Sequence, residues 1–149
     1  MDKNQLESLV REILLEKIGG CATLHGVRKV SVPALCTTEA DRMDTGNPAD
    51  RVYTHDLFSL EQSPRLGAGL MEMENTTFPW TLNYDEMDYV IEGELSILVG
   101  GEKVTAGPGE VIYIPRGSSI QFSVPGRARF LYFVYPADWQ NQQESKGPA

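Results

Sequence analysis

The stretch WTLNYDEMDYVIEGEL, Trp80 to Leu95, decides the fold. In an extended strand Glu86, Asp88 and Val90 share one face, while Met87, Tyr89 and Ile91 share the other. Neither is an ordinary solvent face. If Glu86 and Asp88 point inward, then Met87, Tyr89 and Ile91 need cover from outside. The economical cover is a second copy of the sheet, which predicts a homodimer. If Met87, Tyr89 and Ile91 are core instead, both carboxylates are simply solvated. The pattern alone leaves both readings open.

The neighbouring sequence has the same texture. VYTHDLFSL, GAGLMEMEN, DEMDYVIE, ELSILV, EKVTA, EVIYIP, SIQFSV and ARFLYFVYP are short β-rich runs. Turn residues separate them at Gly93, Gly100-Gly101, Gly107-Pro108-Gly109 and Pro125-Gly126. A spacing of about 8 to 12 residues predicts an all-β sandwich or small barrel, placed at residues 32–140. The polar segment CTTEADRMDTGNPAD reads as a lead-in loop, and residues 141–149 as a polar tail.

The front of the chain differs. Leu6, Leu9, Val10, Ile13 and Leu14 fall at i, i+3, i+4, i+7 and i+8, one stripe of an amphipathic helix within residues 1–20. Gly19-Gly20 stops it, and residues 21–31 read as a flexible linker. The stripe either folds back onto the domain or docks into another protein, since an isolated helix of this length needs an apolar partner.

Composition narrows the function. A chain of 149 residues holds one domain with an appendage. Its formal charge of −8 gives nucleic acid no electrostatic footprint and sets the chain against an anionic membrane surface. No apolar run approaches a membrane span, and the acidic N-terminus lacks a secretory pattern. The expectation is a cytoplasmic protein with Cys21 and Cys36 reduced. The two Cys and two His (His25, His55) fit no zinc spacing, and His55 reads as a hydrogen-bonded structural residue.

Trp80 to Val124 resembles the two motifs of the cupin superfamily, small jelly-roll barrels. Glu86 and Gly93 match the first motif, but Trp80 and Leu82 stand at its histidine positions. Gly109, Pro115 and Gly117 match the second, with Ile120 in place of its histidine. All three imidazoles are replaced, so no tightly bound transition metal is expected at those lost ligand positions. More specifically, FPWTLNYDEMDYVIEGEL, AGPGEVIYIPRGSSIQF and RFLYFVYPADWQ resemble the ethanolamine-utilisation EutQ family from about Val32 to Gln140. The helix LESLVREILLEKI is similar to encapsulation helices of bacterial microcompartments, which implies docking to shell or cargo proteins there.

The EutQ resemblance implies an acetate kinase, interconverting acetyl phosphate and ADP with acetate and ATP. Glu86 and Asp88 would then hold Mg²⁺ transiently on the nucleotide, while Tyr84, Ser118 or Ser119 would hydrogen-bond the phosphoryl group. Arg116 is the nearest phosphate clamp, although an exposed turn residue is the commoner reading of such an arginine. The residues themselves give this reading little help. There is no Walker loop, and an acidic pocket repels phosphates unless a metal screens it. The barrel mouth is acidic and aromatic, with Trp80, Tyr84, Glu86, Asp88 and Tyr113, and Glu86 and Asp88 paired with Trp80 and Tyr84 also suit a small ammonium ion such as ethanolamine. The pair is equally readable as an inert remnant of a metal site. In a third reading the protein is an assembly element, bridging shell and cargo through two N-terminal helices.

Overall fold

The computed structural model describes residues 2–17 and 22–141, with side chains from 11 to 24 excluded. The chain divides into two compact units, residues 1–36 and 37–149.

In the first unit, helix α1 runs Lys3–Lys17. Asp2 caps it: its Oδ1 accepts from the Gln5 N–H at 2.8 Å, while the Gln5 Oε1 accepts from the Asp2 N–H at 3.1 Å. This reciprocal box satisfies two amide donors that the first helical turn leaves free. Leu6, Leu9 and Val10 are exposed on α1. The side chains of Ile13 and Leu14, the Gly19-Gly20 stop, Cys21 and the polar tail beyond Asn141 fall outside the described residues. The linker expected at 21–31 is in part a hairpin, with β1 (Ala22–Leu24) pairing β2 (Val27–Lys29) antiparallel. His25 and Gly26 turn between them at φ 53° and 86°, the doubly left-handed geometry that suits two-residue hairpins. Strands of three residues are too short to show an alternating pattern. Cys36 is a free, exposed thiol.

The second unit is all-β: β3 (Arg51–Asp56), β4 (Gly67–Thr81), β5 (Asp85–Gly93), β6 (Leu95–Val99), β7 (Glu102–Ala106), β8 (Val111–Ile114) and β9 (Ser119–Tyr135). The first six expected runs each give one strand. The last two fuse into β9, 17 residues long. Pro125-Gly126, expected as a turn, is a bulge: the pairing passes from Glu74–Arg127 to Thr76–Val124, leaving both residues opposite Asn75 alone. Asn75 takes the left-handed φ of 45° there. Proline lacks an amide donor, and a bulge is where a strand tolerates that loss.

The seven strands order as β3-β4-β9-β5-β8, with β6 also on β9 and β7 beyond it. The expected barrel is therefore corrected: the sheet wraps one core but does not close. The outer edge of β3 is taken by the lead-in segment, which bridges Arg42 to Tyr53 and donates the Met43 N–H to the Val52 carbonyl at 2.8 Å. That edge is covered without a further strand. Tyr53 donates to Glu39 at 3.0 Å and His55 Nδ1 meets Asp41 at 3.0 Å, fastening the same segment. His55 thus has the structural partner expected of it.

Inward residues of every strand in this sheet join one cluster, with Phe78, Phe130, Leu82 and Val90 among its most deeply buried members. Gly93 closes β5 against β9 at φ 77°, where an added Cβ would come 1.9 Å from the Arg127 carbonyl oxygen. The motif glycine is thus required by close backbone approach as much as by its turn.

Candidate functional site

The alternation of β5 resolves the question raised by its two faces. Glu86, Asp88 and Val90 are buried, with Asp88 fully so, while Met87 and Tyr89 are exposed. Glu86 pairs with Ile114 on β8 and Val134 on β9; Asp88 pairs with Ile112 and Tyr132. Both carboxyls therefore lie on the inner face, among aliphatic and aromatic neighbours.

The register builds a polar row across that face. Asp56 on β3 pairs with Gly69 on β4, Gly69 with Tyr132 on β9, and Tyr132 with Asp88 on β5. Gly69 leaves room for the Tyr132 ring to cross β4, since a Cβ there would sit 2.0 Å from the phenol. The Tyr132 hydroxyl donates to Asp56 at 2.9 Å. Burial first, and then the Asp56 charge, raise this phenol's pKa.

A cavity of about 440 Å³ opens beside the row. Its aromatic wall includes Phe78, Trp80, Tyr84, Phe122, Tyr132 and Trp139. Trp80 Nε1 donates to the Tyr84 hydroxyl at 2.8 Å, and the Tyr84 and Trp139 rings are 4.6 Å apart. Trp80 meets Trp139 edge-on at 6.1 Å. Burial raises the Tyr84 phenol, with the Glu86 charge acting in the same direction. Glu86, Asp44 and Asp56 also line the cavity; Asp88 lies behind Glu86, outside the lining.

Glu86 Oε2 and both Asp88 oxygens are buried without a donor among the described residues. Buried carboxylate oxygens are normally hydrogen-bonded, so the pair is costly in its fully ionised form. Burial pushes Glu86 up to about 7, with the neighbouring Asp88 carboxyl acting in the opposite direction. Asp88 is raised too, by burial and then by the Glu86 charge. With no donor among the described residues for these three oxygens, a proton shared within the pair is the economical solution near neutrality.

The family model described as ethanolamine utilisation protein EutQ matches residues 1–141. The chain belongs to the EutQ family. A Clostridioides difficile (strain 630) protein named acetate kinase EutQ is 56% identical over 95% of this chain and 96% of its own length. A Salmonella typhimurium protein of the same name is 49% identical over 58% of this chain, but that match spans 38% of the longer relative. The solved Clostridium difficile EutQ structure is 60% identical, with a TM-score of 0.78 over 80% of this chain and 88% of that one. A cupin-superfamily protein from Desulfitobacterium hafniense, at 18% identity and TM-score 0.51 over 58% of this chain and 78% of that one, shares the fold.

In this EutQ-family chain the residues singled out from sequence separate into three groups. Glu86, Trp80 and Tyr84 meet at the cavity, with Asp88 immediately behind. Leu82 and Ile120, at the lost histidine positions, are core side chains and offer no ligand atom. Among the described residues no group of three or more His, Cys, Asp or Glu is gathered as a metal site. Tyr113, Arg116, Ser118 and Ser119 lie apart from the cavity. The Tyr113 hydroxyl donates to Asp85 at 3.2 Å on the outer face, and the Arg116 N–H donates to the same oxygen at 2.9 Å. Ser118 Oγ donates to the Pro115 carbonyl at 2.6 Å, and Ser119 pairs with Thr81 at 3.2 Å. The sequence reading missed Asp44, Asp56, Tyr132 and Trp139. A glycine inside β4 was the available signal for Tyr132, because such a glycine marks close approach.

The raised Glu86 sets a direction for stability. The native state holds its proton more tightly than the unfolded chain, so stability is fully present below the ordinary value of 4.5 and is lost as pH rises to about 7. Glu86→Gln should flatten this loss by roughly 4 °C of melting temperature per pH unit between pH 5 and 7. Parallel melting curves for the two proteins across that range would mean that Glu86 titrates normally.

Proposed function

We propose that this chain is an acetate kinase of ethanolamine utilisation, moving a phosphoryl group from acetyl phosphate to ADP, or back from ATP to acetate. The observation that carries this reading is the 56% identity, over nearly the full length of both chains, with the Clostridioides difficile protein named acetate kinase EutQ. The cavity adds a condition. Among the described residues no Lys, Arg or His lines it, while Glu86, Asp44 and Asp56 do. Phosphates entering such a site need their charge neutralised by a metal they bring with them. Mg²⁺ commonly takes one or two protein carboxylates and fills its shell with phosphate and water oxygens. The unpartnered Glu86 oxygen, with Asp88 behind it, fits that limited demand.

Two further elements belong to this reading. The outer face of β8, β5 and β9 exposes Val111, Tyr113, Met87, Tyr89, Phe133 and Tyr135, and a second copy of the same face is the cover we assign to it. The exposed stripe of α1 supports docking to a shell or cargo protein of a bacterial microcompartment, the location this reading implies.

Chelator-treated protein supplied with acetyl phosphate and ADP should make ATP only when Mg²⁺ is restored. Glu86→Gln should lower that rate on the order of a hundredfold. Equal rates in the two proteins would remove the cavity from the chemistry, and no rate in either would remove the kinase reading. Met87→Glu should shift the sedimentation mass from dimer to monomer, an unchanged mass excluding this face as the contact. Deleting residues 1–20 should leave a folded domain that no longer co-sediments with shells; continued co-sedimentation would rule out α1 as the docking element.

A further inference from the structure

We infer that the cavity is a binding site for a small primary ammonium ion, with the Glu86 carboxylate as its counter-ion and the surrounding aromatic rings as its walls. The first support is an unmet hydrogen bond. Glu86 is 5% exposed, lines the cavity, and has one oxygen without a donor among the described residues. A buried acceptor in this position is completed by a ligand that brings N–H groups.

The second support is the character of the walls. Trp80, Tyr84, Tyr132 and Trp139 surround the space into which Glu86 faces. Their positions are held by contacts of their own: the Trp80 indole N–H is committed to the Tyr84 hydroxyl, and the Tyr132 hydroxyl to Asp56. The rings thus present π faces and edges without spending the Glu86 oxygen. Aromatic faces attract ammonium groups, and more strongly where water is excluded.

The third support is the distribution of charge. Among the described residues three carboxylates line the cavity and no cationic side chain does, which favours a ligand that brings its own cation. A divalent ion held by the protein alone calls for several carboxylates or imidazoles at one point, and the described residues gather no group of three or more. An ammonium needs far fewer: one carboxylate oxygen and π faces are enough to hold it. Thr54, Ser63 and Gln140 also line the cavity and offer partners for a hydroxyl at the ligand's other end. That combination describes a short amino alcohol. A cavity of about 440 Å³ is ample for one and lies within the usual range of small-molecule sites.

The site carries its own reporter. Both tryptophans of the chain, Trp80 and Trp139, line the cavity, so intrinsic fluorescence reads its occupancy directly. The full chain should be titrated with ethanolamine in buffer free of Mg²⁺ and nucleotide, with sodium chloride at matched ionic strength and ethylene glycol as the uncharged comparator. A saturable change with ethanolamine and with ethylammonium, absent with sodium chloride and ethylene glycol, is the expected result. Glu86→Gln should weaken the amine affinity at least tenfold. Thermal melting with amine present provides a second readout, with the melting temperature raised in the parent chain and unchanged in a folded Glu86→Gln variant. Equal response to sodium chloride or ethylene glycol, no saturation with either amine, or undiminished affinity in Glu86→Gln would each overturn the assignment. Phosphoryl transfer plays no part in the readout, so failure of the kinase reading leaves this test intact.

Discussion

Strand β9 is the common neighbour on which the second unit depends. One of its edges pairs with β4 for almost the full length of both strands, and its other edge serves β6 near the start and β5 near the end. Among the described residues no other strand pairs with as many neighbours, so the register of β9 sets what faces what throughout the sheet. The bulge at Asn75 and Pro125-Gly126 lets both long strands change course while their inner residues stay on one core. A slip of one residue would turn Tyr132 outward, separate it from Asp56, and expose Phe130 and Val134. The polar row and the apolar core are therefore fixed by the same ladder.

That ladder also places two carboxyl groups where water does not reach them. Asp88 is fully buried and Glu86 nearly so. In a site with imidazole ligands a metal cation would balance such groups. Here Leu82 and Ile120 fill the corresponding space with apolar volume, and Trp80 supplies a ring in place of a ligand. The native chain holds the acids through a raised proton affinity, a solution that costs stability as pH rises. Retaining two acids in a core that aliphatic residues would fill more cheaply points to use, and Glu86, the member facing the cavity, is where a use is accessible.

Much of the sheet was legible because alternation and turn chemistry are local. Each run from VYTHDLFSL to EVIYIP became one strand, and the glycines between them mark real reversals. Pro125-Gly126 misled because the same two residues suit a turn and a bulge, and only the partner strand decides. The cover on the β3 edge was invisible for a similar reason: it depends on Arg42 and Met43 reaching β3 from a loop. Within the site, the alternation of β5 separated inward Glu86 and Asp88 from outward Met87 and Tyr89 once burial chose between the two faces. Tyr113 fell on the wrong face because its pairing with Met87 sends it outward. Asp56, Tyr132 and Trp139 could not be found by local spacing, since they join Glu86 through β3, β9 and the segment beyond β9.

The charge of the cavity links the kinase reading with the ammonium reading. Both supply a cation to the same Glu86 oxygen, in one case a metal already carrying phosphates, in the other an organic ammonium. Among the described residues the cavity has no cationic side chain to hold an anion independently, so these residues offer neither occupant a second, separate positive site. An amine on Glu86 removes the carboxylate that a metal-nucleotide would use, and metal there removes the counter-ion of the amine. On these two readings occupancy is competitive, and the coupling is reciprocal: whatever the amine takes from nucleotide affinity, the nucleotide takes from amine affinity. A single buried carboxylate is sufficient to create that relation, without any change of conformation.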